Sequence, residues 1–199
     1  HQSGGVFYLR IEDTDAKREV PGAAEALIRT LETYGINFDE GAILGEDGKI
    51  SDKGIYGPYK QSLRGPIYHV FAKQLVREGK AYPCFSTEEE LEELQQVNKK
   101  EEIKNTDWEA VAAQRKAEML ARRNFTIEEV EANLKAGMPF VLRILADGDP
   151  EKKIKFTDLV KGNMEVTEND EDFVLLKSDG IPTYHFAHAV DDHLMGTTH

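Results

Sequence analysis

The chain has 199 residues, a formal net charge of −12 and a hydrophobic fraction of 40%. This length fits one ordinary domain, or a domain that carries a sizeable insertion, and the apolar fraction excludes wholesale disorder. No apolar run approaches the roughly 18 residues that span a bilayer, and no secretory signal is visible at the start. The composition therefore predicts no membrane partner.

The single cysteine, Cys84, limits the redox and metal chemistry that the chain can support. One thiol excludes an internal disulfide and any multi-thiolate metal site built from this chain alone. We interpret Cys84 as a buried small hydrophobic residue, which fits a reducing, cytoplasmic compartment.

Most of the acidity lies in two short stretches, residues 86–102 and 165–172, each with five net negative charges. The rest of the chain is near neutral. This argues against broad, non-specific phosphate binding but leaves a local, shaped RNA contact open.

The first 57 residues predict a strand, an acidic turn, a helix and a loop. Residues 6–11 form a short apolar run rich in β-branched and aromatic side chains, which is typical of a buried strand. Pro21 suits the first turn of a helix that Gly35 ends. Its apolar positions follow a 3.6-residue period: Ala24, Leu27, Ile28, Leu31 and Tyr34. Residues 36–57, rich in Gly and Asp, predict a loop.

The middle of the chain predicts helices. Pro66 opens one that Gly79 ends, and residues 81–85 suit a short strand. Capping boxes then begin three further helices, the last of which closes at Gly137: Thr87 with Glu90, Thr106 with Glu109, and Thr126 with Glu129. We interpret this part as a helical insertion, with Trp108 and Met119 in its core.

The last third predicts strands at residues 140–145, 153–156 and 173–176, then a turn at residues 178–180. A helix is predicted from Tyr184 to Met195, ending at Gly196. The chain has no initiator Met and no terminal signal, so we expect it to be a piece of a longer protein.

Two groups of side chains could carry chemistry. Glu12, Asp13 and Asp15 directly follow a predicted strand, where they could bind a ligand ammonium group or stabilise the next helix N-terminus. Spacing alone leaves these readings open.

The second group lies on the last predicted helix, where Tyr184, His188 and Asp192 share one face. Such a face suits a small polar ligand. A metal site of His188, Asp192 and His193 is the less favoured reading, since His–Asp spacings on helices are common. No phosphate loop or nucleophile motif is present.

Five collinear segment groups resemble one family from end to end, apart from the stretch around residues 95–135. They are residues 4–15 (GGVFYLRIEDTD), 57–62 (GPYKQS), 79–82 (GKAY), 156–162 (FTDLVKG), and 178–187 with 190–196 (SDGIPTYHFA, VDDHLMG). The resemblance is to bacterial glutamyl-tRNA synthetases, which are class I aminoacyl-tRNA synthetases. The related glutaminyl enzymes typically carry Phe-Asp-Asp-Thr-Asn where this chain has residues 11–15, which favours glutamate.

The resemblance implies an α/β fold, part of a class I Rossmann-type parallel sheet interrupted by an inserted α+β acceptor-stem-binding domain. It assigns residues 1–81 and 173–199 to the catalytic domain and residues 82–172 to the insertion. The implied reaction activates L-glutamate with ATP, with Mg²⁺, to glutamyl-adenylate, and then transfers the glutamyl group to the 3′ end of tRNA(Glu). Charging of tRNA(Gln) as well is left open.

Carried over by position, Glu12 would bind the substrate amino group, and Tyr184 and His188 would line the glutamate pocket. Asp15 and Arg18 would lie near the tRNA 3′ end. His188 stands where many relatives have Asn. At Cys84 some relatives have a zinc-binding Cys-x-Cys, but here Phe85 and Ser86 follow, so no zinc is expected.

Two alternatives to the enzyme are open. One is a non-catalytic module that binds a tRNA acceptor stem, and the other is a paralogue that glutamylates a tRNA base. The paralogues usually have a shorter insertion and a zinc motif, neither of which fits. A continuation beyond residue 199 with Val-Ile-Arg-Gly and a Lys-rich loop would favour the enzyme over the binding module.

We predict that residues 1–199 alone have no ligase activity. The HIGH and KMSKS motifs of the family, which stabilise charge on the ATP phosphates, are absent from this sequence, and such stabilisation is usually the largest catalytic term. The measurement is glutamate-dependent ATP–pyrophosphate exchange by the purified 199 residues with tRNA(Glu) present. Exchange above a no-glutamate control would contradict the prediction.

Overall fold

A computed structural model describes residues 4–15, 20–85, 116–123 and 125–199. The helices are α1 Ala23–Thr33, α2 Gly65–Arg77, α3 Ile127–Lys135 and α4 Tyr184–Met195, with a 3₁₀ turn at Gln61–Leu63 and further helical residues at 116–122. The strands are β1 Tyr8–Leu9, β2 Glu40–Leu44, β3 Ile50–Lys53, β4 Ala81–Cys84, β5 Val141–Ile144, β6 Lys153–Asp158, β7 Gly162–Thr167 and β8 Val174–Leu176. Within these ranges every helix is too short or too polar to cross a lipid bilayer.

The chain divides into two compact units. The first combines His1–Lys73 with Asp179–His199, and the second is Gln74–Ser178. The first unit is therefore built from two segments that are distant in sequence.

A three-stranded sheet in the order β1-β2-β3 organises the first unit. β1 pairs with β2 in parallel, and β2 pairs with β3 antiparallel. Gly41 lies opposite Leu9 with φ +121°, and a Cβ there would collide with the Leu9 backbone, so this position requires glycine. Helices α1 and α4 contribute to the core of this sheet, which includes Ile28, Ala42, Tyr59 and Met195.

The prediction of a loop over residues 36–57 is wrong, because this region contains the β2–β3 hairpin. The glycines and aspartates that suggested a loop have local roles within the pairing. Gly41 admits the close approach of β1, and Asp52 accepts a hydrogen bond from the Tyr59 amide at 2.8 Å. A turn is present, but only between β2 and β3, where the Gly48 amide donates a hydrogen bond to the Gly45 carbonyl.

The first strand is shorter and more exposed than predicted. Only Tyr8–Leu9 pairs as a strand, and the Val6 and Phe7 side chains are exposed, with Phe7 lying on Phe38 at a ring-centroid distance of 4.9 Å. Pairing resumes at Ile11, which bridges Lys60 in parallel. The prediction that Pro21 lies in the first turn of α1 is wrong, because α1 begins at Ala23 and its N-cap is Gly22 in the left-handed conformation, so Pro21 precedes the helix.

Several other predicted elements are confirmed. α2 begins at Gly65 beside Pro66, and Gly79 follows its end with φ +68°. α4 covers Tyr184–Met195, and Gly196 caps it in the left-handed conformation. Cys84 is fully buried.

The second unit contains an antiparallel sheet in the order β4-β5-β8 and a β6–β7 hairpin. The predicted capping box at α3 is confirmed. The Thr126 hydroxyl accepts from the Glu129 amide at 3.2 Å, and the Glu129 carboxylate accepts from the Thr126 amide at 2.8 Å. The other two boxes, at Thr87 and Thr106, lie outside the described residues, as does Trp108.

The sheets are more antiparallel than a Rossmann core predicts. Among the strands within the described ranges, β1 with β2 is the parallel pair. The mixed α/β class is confirmed, whereas the limits 1–81, 82–172 and 173–199 stay a prediction. The compact units divide after Lys73 and after Ser178, so β8 pairs inside the second unit.

A buried carboxylate, Asp172, joins distant parts of the second unit. It accepts from Arg123 Nη2 at 2.6 Å and Nε at 2.8 Å, from the Tyr82 hydroxyl at 2.7 Å and from the Ala146 amide at 2.8 Å. Burial raises the pKa of the Asp172 carboxyl, but these hydrogen bonds, led by those from Arg123, outweigh burial and hold the pKa below its ordinary value.

We predict that Asp172→Asn lowers the free energy of unfolding by about 2–4 kcal/mol, because the amide group would point a donor at Arg123 or Tyr82. A depressed carboxyl pKa contributes stability above the unfolded pKa, and that stability is lost as the pH falls through the folded pKa. Urea denaturation should therefore show a gap between wild type and variant at pH 7 that narrows in acid.

Glu171→Gln is the matched control, since the neighbouring Glu171 side chain is exposed. Equal urea midpoints for the two variants would contradict the role assigned to Asp172.

Candidate functional site

Charged side chains from the end of β1 and from α4 meet within the first unit. Arg10 and Glu12 follow β1, and Tyr184, His188 and Asp192 lie four residues apart along one face of α4. The carboxylate of Glu12 lies 3.4 Å from His188 Nδ1, although the two residues are 176 positions apart. The structure therefore brings two of the predicted pocket residues together.

Arg10 is the centre of this cluster, with a side chain only 7% exposed. Nη2 and Nε donate to Glu12 Oε1 at 2.7 and 3.2 Å, and Nη1 donates to Asp192 Oδ1 at 2.8 Å. Burial lowers the Arg10 pKa, but the hydrogen bonds to Glu12 and Asp192 more than offset burial and raise it overall. The guanidinium is thus a permanent cation that holds two carboxylates.

Both nitrogens of the His188 ring are engaged. Nε2 lies 2.8 Å from Asp192 Oδ2, and Nδ1 lies 3.3 Å from Arg10 Nη2. Nδ1 also lies 3.4 Å from Glu12 Oε1, so the ring is held among three charged side chains. The ring therefore presents its face, rather than a nitrogen, to further partners.

Tyr184 extends the same face of α4. Its side chain is 51% exposed, and its ring lies 5.4 Å from the His188 ring, centroid to centroid. The hydroxyl end is thus available as the polar tip of an otherwise apolar wall.

Beneath this surface, Asp191 anchors α4 through a fully buried carboxylate. It accepts from Arg64 Nε at 2.8 Å, from Gln61 Nε2 at 2.9 Å and from the Tyr68 hydroxyl at 2.8 Å. Burial, followed by the hydrogen bond to Asp191, raises the Tyr68 pKa, which keeps the phenol a donor. Arg64 Nη1 also donates to the carbonyls of Tyr56 and Pro58 at 2.6 and 2.8 Å.

The carboxylates of the acidic turn after β1 have different positions: Asp13 stabilises the turn, and Asp15 lines a cavity. Asp13 accepts from the Ser62 amide at 2.8 Å and pairs with Lys60 Nζ at 3.2 Å, so it holds the turn against the 3₁₀ segment. Asp15 lies beside Glu12 in the lining of a cavity of about 630 Å³. The lining also includes the N-cap and first turns of α1: Gly22, Ala23, Ala24, Glu25 and Leu27.

The predicted site residues therefore lie on two surfaces, and Glu12 belongs to both. Tyr184 and His188 contact each other on α4 and are not part of the cavity lining, whereas Asp15 is. Arg18 lies outside the described residues. The less favoured metal reading finds no support, because within the described ranges no three His, Cys, Asp or Glu side chains are grouped to hold an ion, and His193 contacts Phe71.

Sequence reasoning gave no role to Arg10, Gln61 or Arg64. The available signal was the charge of Arg10 inside an apolar run predicted to be a buried strand, since a buried cation requires a partner. Gln61 lies in the family segment 57–62 and Arg64 just after it, and the burial of both follows from the tertiary fold.

Comparisons with known proteins agree on one family. The family model for the catalytic domain of class I tRNA synthetases, E and Q, matches residues 1–199. A curated glutamate–tRNA ligase of Clostridium perfringens is 48% identical over 199 residues, which is 100% of this chain and 34% of the relative. A glutamate–tRNA ligase of Acetivibrio thermocellus is 49% identical over 200 residues, again 100% of this chain and 34% of the relative.

A solved structure gives the same answer. A crystal structure of a glutamate tRNA ligase from Elizabethkingia meningosepticum, in complex with its amino acid, matches with a TM-score of 0.71 and 33% identity. The match covers 98% of this chain and 36% of that chain. The chain thus spans about a third of the length of the relatives it matches.

We predict that Asp191→Ala lowers the free energy of unfolding by about 3–5 kcal/mol, because it leaves Arg64 buried without its carboxylate. Tyr68→Phe removes a single donor and should cost only about 1 kcal/mol. Urea denaturation checks both values, with the exposed Glu46→Ala as the control. Equal losses for the Asp191 and Glu46 variants would contradict the anchoring role.

Proposed function

The chain belongs to the class I tRNA synthetases of the glutamate and glutamine group, and on that basis we propose that the protein is a glutamate–tRNA ligase. It activates L-glutamate with ATP to glutamyl-adenylate and pyrophosphate, and it then transfers the glutamyl group to the 3′ end of tRNA(Glu). The observation that carries the proposal is the meeting of Glu12 with His188 and Tyr184, from opposite ends of the chain, beside a cluster of paired charges.

The charge balance of this cluster suits the substrate amino group. Arg10 and Arg64 are matched against three carboxylates, Glu12, Asp191 and Asp192, so the carboxylates outnumber the guanidinium groups by one. Glu12 uses Oε1 for its contacts with Arg10 and His188, and Oε2 makes no hydrogen bond within the described part of the chain. An ammonium group at Oε2 completes the balance through a charge-assisted hydrogen bond.

Tyr184 and His188 then form the wall along the substrate. Both ring nitrogens of His188 are engaged, so His188 offers the face of its ring to the substrate and helps to orient Glu12. The Tyr184 hydroxyl is the polar group that can reach the ligand. This assigns His188 a different role from a side-chain amide at the same position, which would offer free donors.

The tRNA sites are proposed from the family resemblance, by sequence position. By sequence position Asp15 and Arg18 are assigned to the tRNA 3′ end, and Asp15 lines the cavity described above. Residues 82–172 bind the acceptor stem. The exposed β6–β7 hairpin gives modest support, because its lysines at 153, 155 and 161 exceed its two acidic residues by one charge, and Lys153 and Lys155 both pair with Glu165. Whether the protein also charges tRNA(Gln) is tested by the aminoacylation assay below.

ATP enters as a substrate together with Mg²⁺, and no zinc is expected. The donor set at the zinc-binding position of some relatives does not fit that ion, since Cys84 is a lone thiol with 0% exposure. We propose a cytoplasmic location with no membrane partner.

The competing proposal is a non-catalytic module that binds a tRNA acceptor stem. It requires the second unit but gives no reason for the Glu12, Tyr184 and His188 arrangement in the first. Retained tRNA binding without glutamate-dependent ATP–pyrophosphate exchange by the full-length protein would favour the module.

We predict that Glu12→Gln in the full-length protein raises the KM for glutamate by roughly 10- to 100-fold, the range expected from losing one charge-assisted hydrogen bond. The KM for ATP should stay within about twofold. The measurement is ATP–pyrophosphate exchange with tRNA(Glu) present, and aminoacylation of tRNA(Glu) and tRNA(Gln) in parallel.

Glu46→Gln, which neutralises an exposed carboxylate of the same unit, is the matched control. An unchanged glutamate KM in Glu12→Gln would overturn the assignment of Glu12. No glutamate-dependent exchange by the wild-type protein would overturn the ligase itself.

A further inference from the structure

We infer that Arg10 is a positioning residue that fixes Glu12 and His188 relative to each other, and that it binds no substrate atom itself. The inference rests on the proposed function and names a residue outside the pocket assigned to glutamate. An arginine beside the binding site of an amino acid would ordinarily be taken as the ligand of the substrate carboxylate. The hydrogen bonds of Arg10 point to a different role.

All five N–H groups of the Arg10 guanidinium have acceptors within the chain. The Nε–H and one Nη2–H donate to Glu12 Oε1, and the second Nη2–H faces His188 Nδ1 at 3.3 Å. The two Nη1–H groups face Asp192 Oδ1 at 2.8 Å and Met195 Sδ at 3.8 Å. Because guanidinium has no further donors, Arg10 has none left for a substrate carboxylate or phosphate.

The same contacts determine which oxygen of Glu12 is open. Oε1 receives both Arg10 donors and faces the His188 ring, so the carboxylate cannot rotate without breaking them. Oε2 is the oxygen that accepts no hydrogen bond from the described residues. Without Arg10, Glu12 and Asp192 would lose the cation that they share, and the two carboxylates would repel each other.

Asp192 holds Arg10 in this position. It binds Arg10 Nη1 through Oδ1 and the His188 ring through Oδ2, so both carboxylate oxygens serve the cluster. The contact joins the end of β1 to α4 over 182 residues. Arg10 therefore couples the position of Glu12 to that of α4.

The test is a double-mutant cycle in the full-length protein, with Arg10→Lys, Glu12→Gln and the double variant. Lysine keeps the charge but cannot bind two carboxylates and a ring nitrogen in one plane. We expect Arg10→Lys to raise the glutamate KM roughly tenfold, with kcat and the ATP KM within about twofold, which is the scale of one charge-assisted hydrogen bond. The double variant should be no worse than Glu12→Gln alone, because Arg10 acts through Glu12.

Asp192→Asn is the second variant, in case Arg10→Lys does not fold. It removes the anchor of Arg10 on α4 and should show a smaller rise in glutamate KM with the same non-additivity toward Glu12→Gln. Arg29→Lys on α1, an exposed arginine of the same unit, is the matched control and should leave the KM unchanged.

Multiplicative effects of Arg10→Lys and Glu12→Gln would overturn the inference, since they would show that Arg10 acts independently of Glu12. Glutamate-dependent ATP–pyrophosphate exchange by the wild type, with the same glutamate KM in Arg10→Lys, would also overturn the inference. That result would leave the ligase assignment intact. A wild type with no glutamate-dependent exchange would overturn both.

Discussion

The candidate site depends on one buried carboxylate, Asp191. A fully buried charge is tolerated only when its oxygens are filled, and Arg64, Gln61 and Tyr68 fill them from the 3₁₀ turn and α2. This arrangement fixes α4 in rotation as well as in position. Its neighbour Asp192 is thereby directed to Arg10 and His188, so consecutive aspartates on one helix serve separately as anchor and as site residue.

Local elements of this fold could be predicted where sequence and tertiary structure agree. α4 has helical apolar spacing and a glycine that adopts the left-handed conformation directly after it, and both ends were predicted. The β2–β3 hairpin was missed because Gly41 and Asp52 disfavour strands in general. Here Gly41 is required by the backbone of β1, and Asp52 binds the Tyr59 amide, and neither partner can be read locally.

The site itself could be predicted only in part. Glu12, Tyr184 and His188 came from resemblance, since no periodicity relates residues 176 positions apart. The same resemblance suggested a hydrogen-bonding role for position 188, but the structure engages both nitrogens of His188 with Asp192 and Arg10. The role of Arg10 cannot be predicted from the sequence, because it depends on how many of its donors are already hydrogen-bonded in the fold.

The discontinuity of the first unit has a consequence for the order of folding. Met195 completes the core that contains Ile28, Ala42 and Tyr59, so this core cannot close until α4 has been synthesised. Every residue of the second unit emerges from the ribosome before then. That unit can therefore fold while the chain is still growing, whereas the first unit must wait, with Arg10 and Glu12 in water, for contacts whose high sequence separation makes them slow to form.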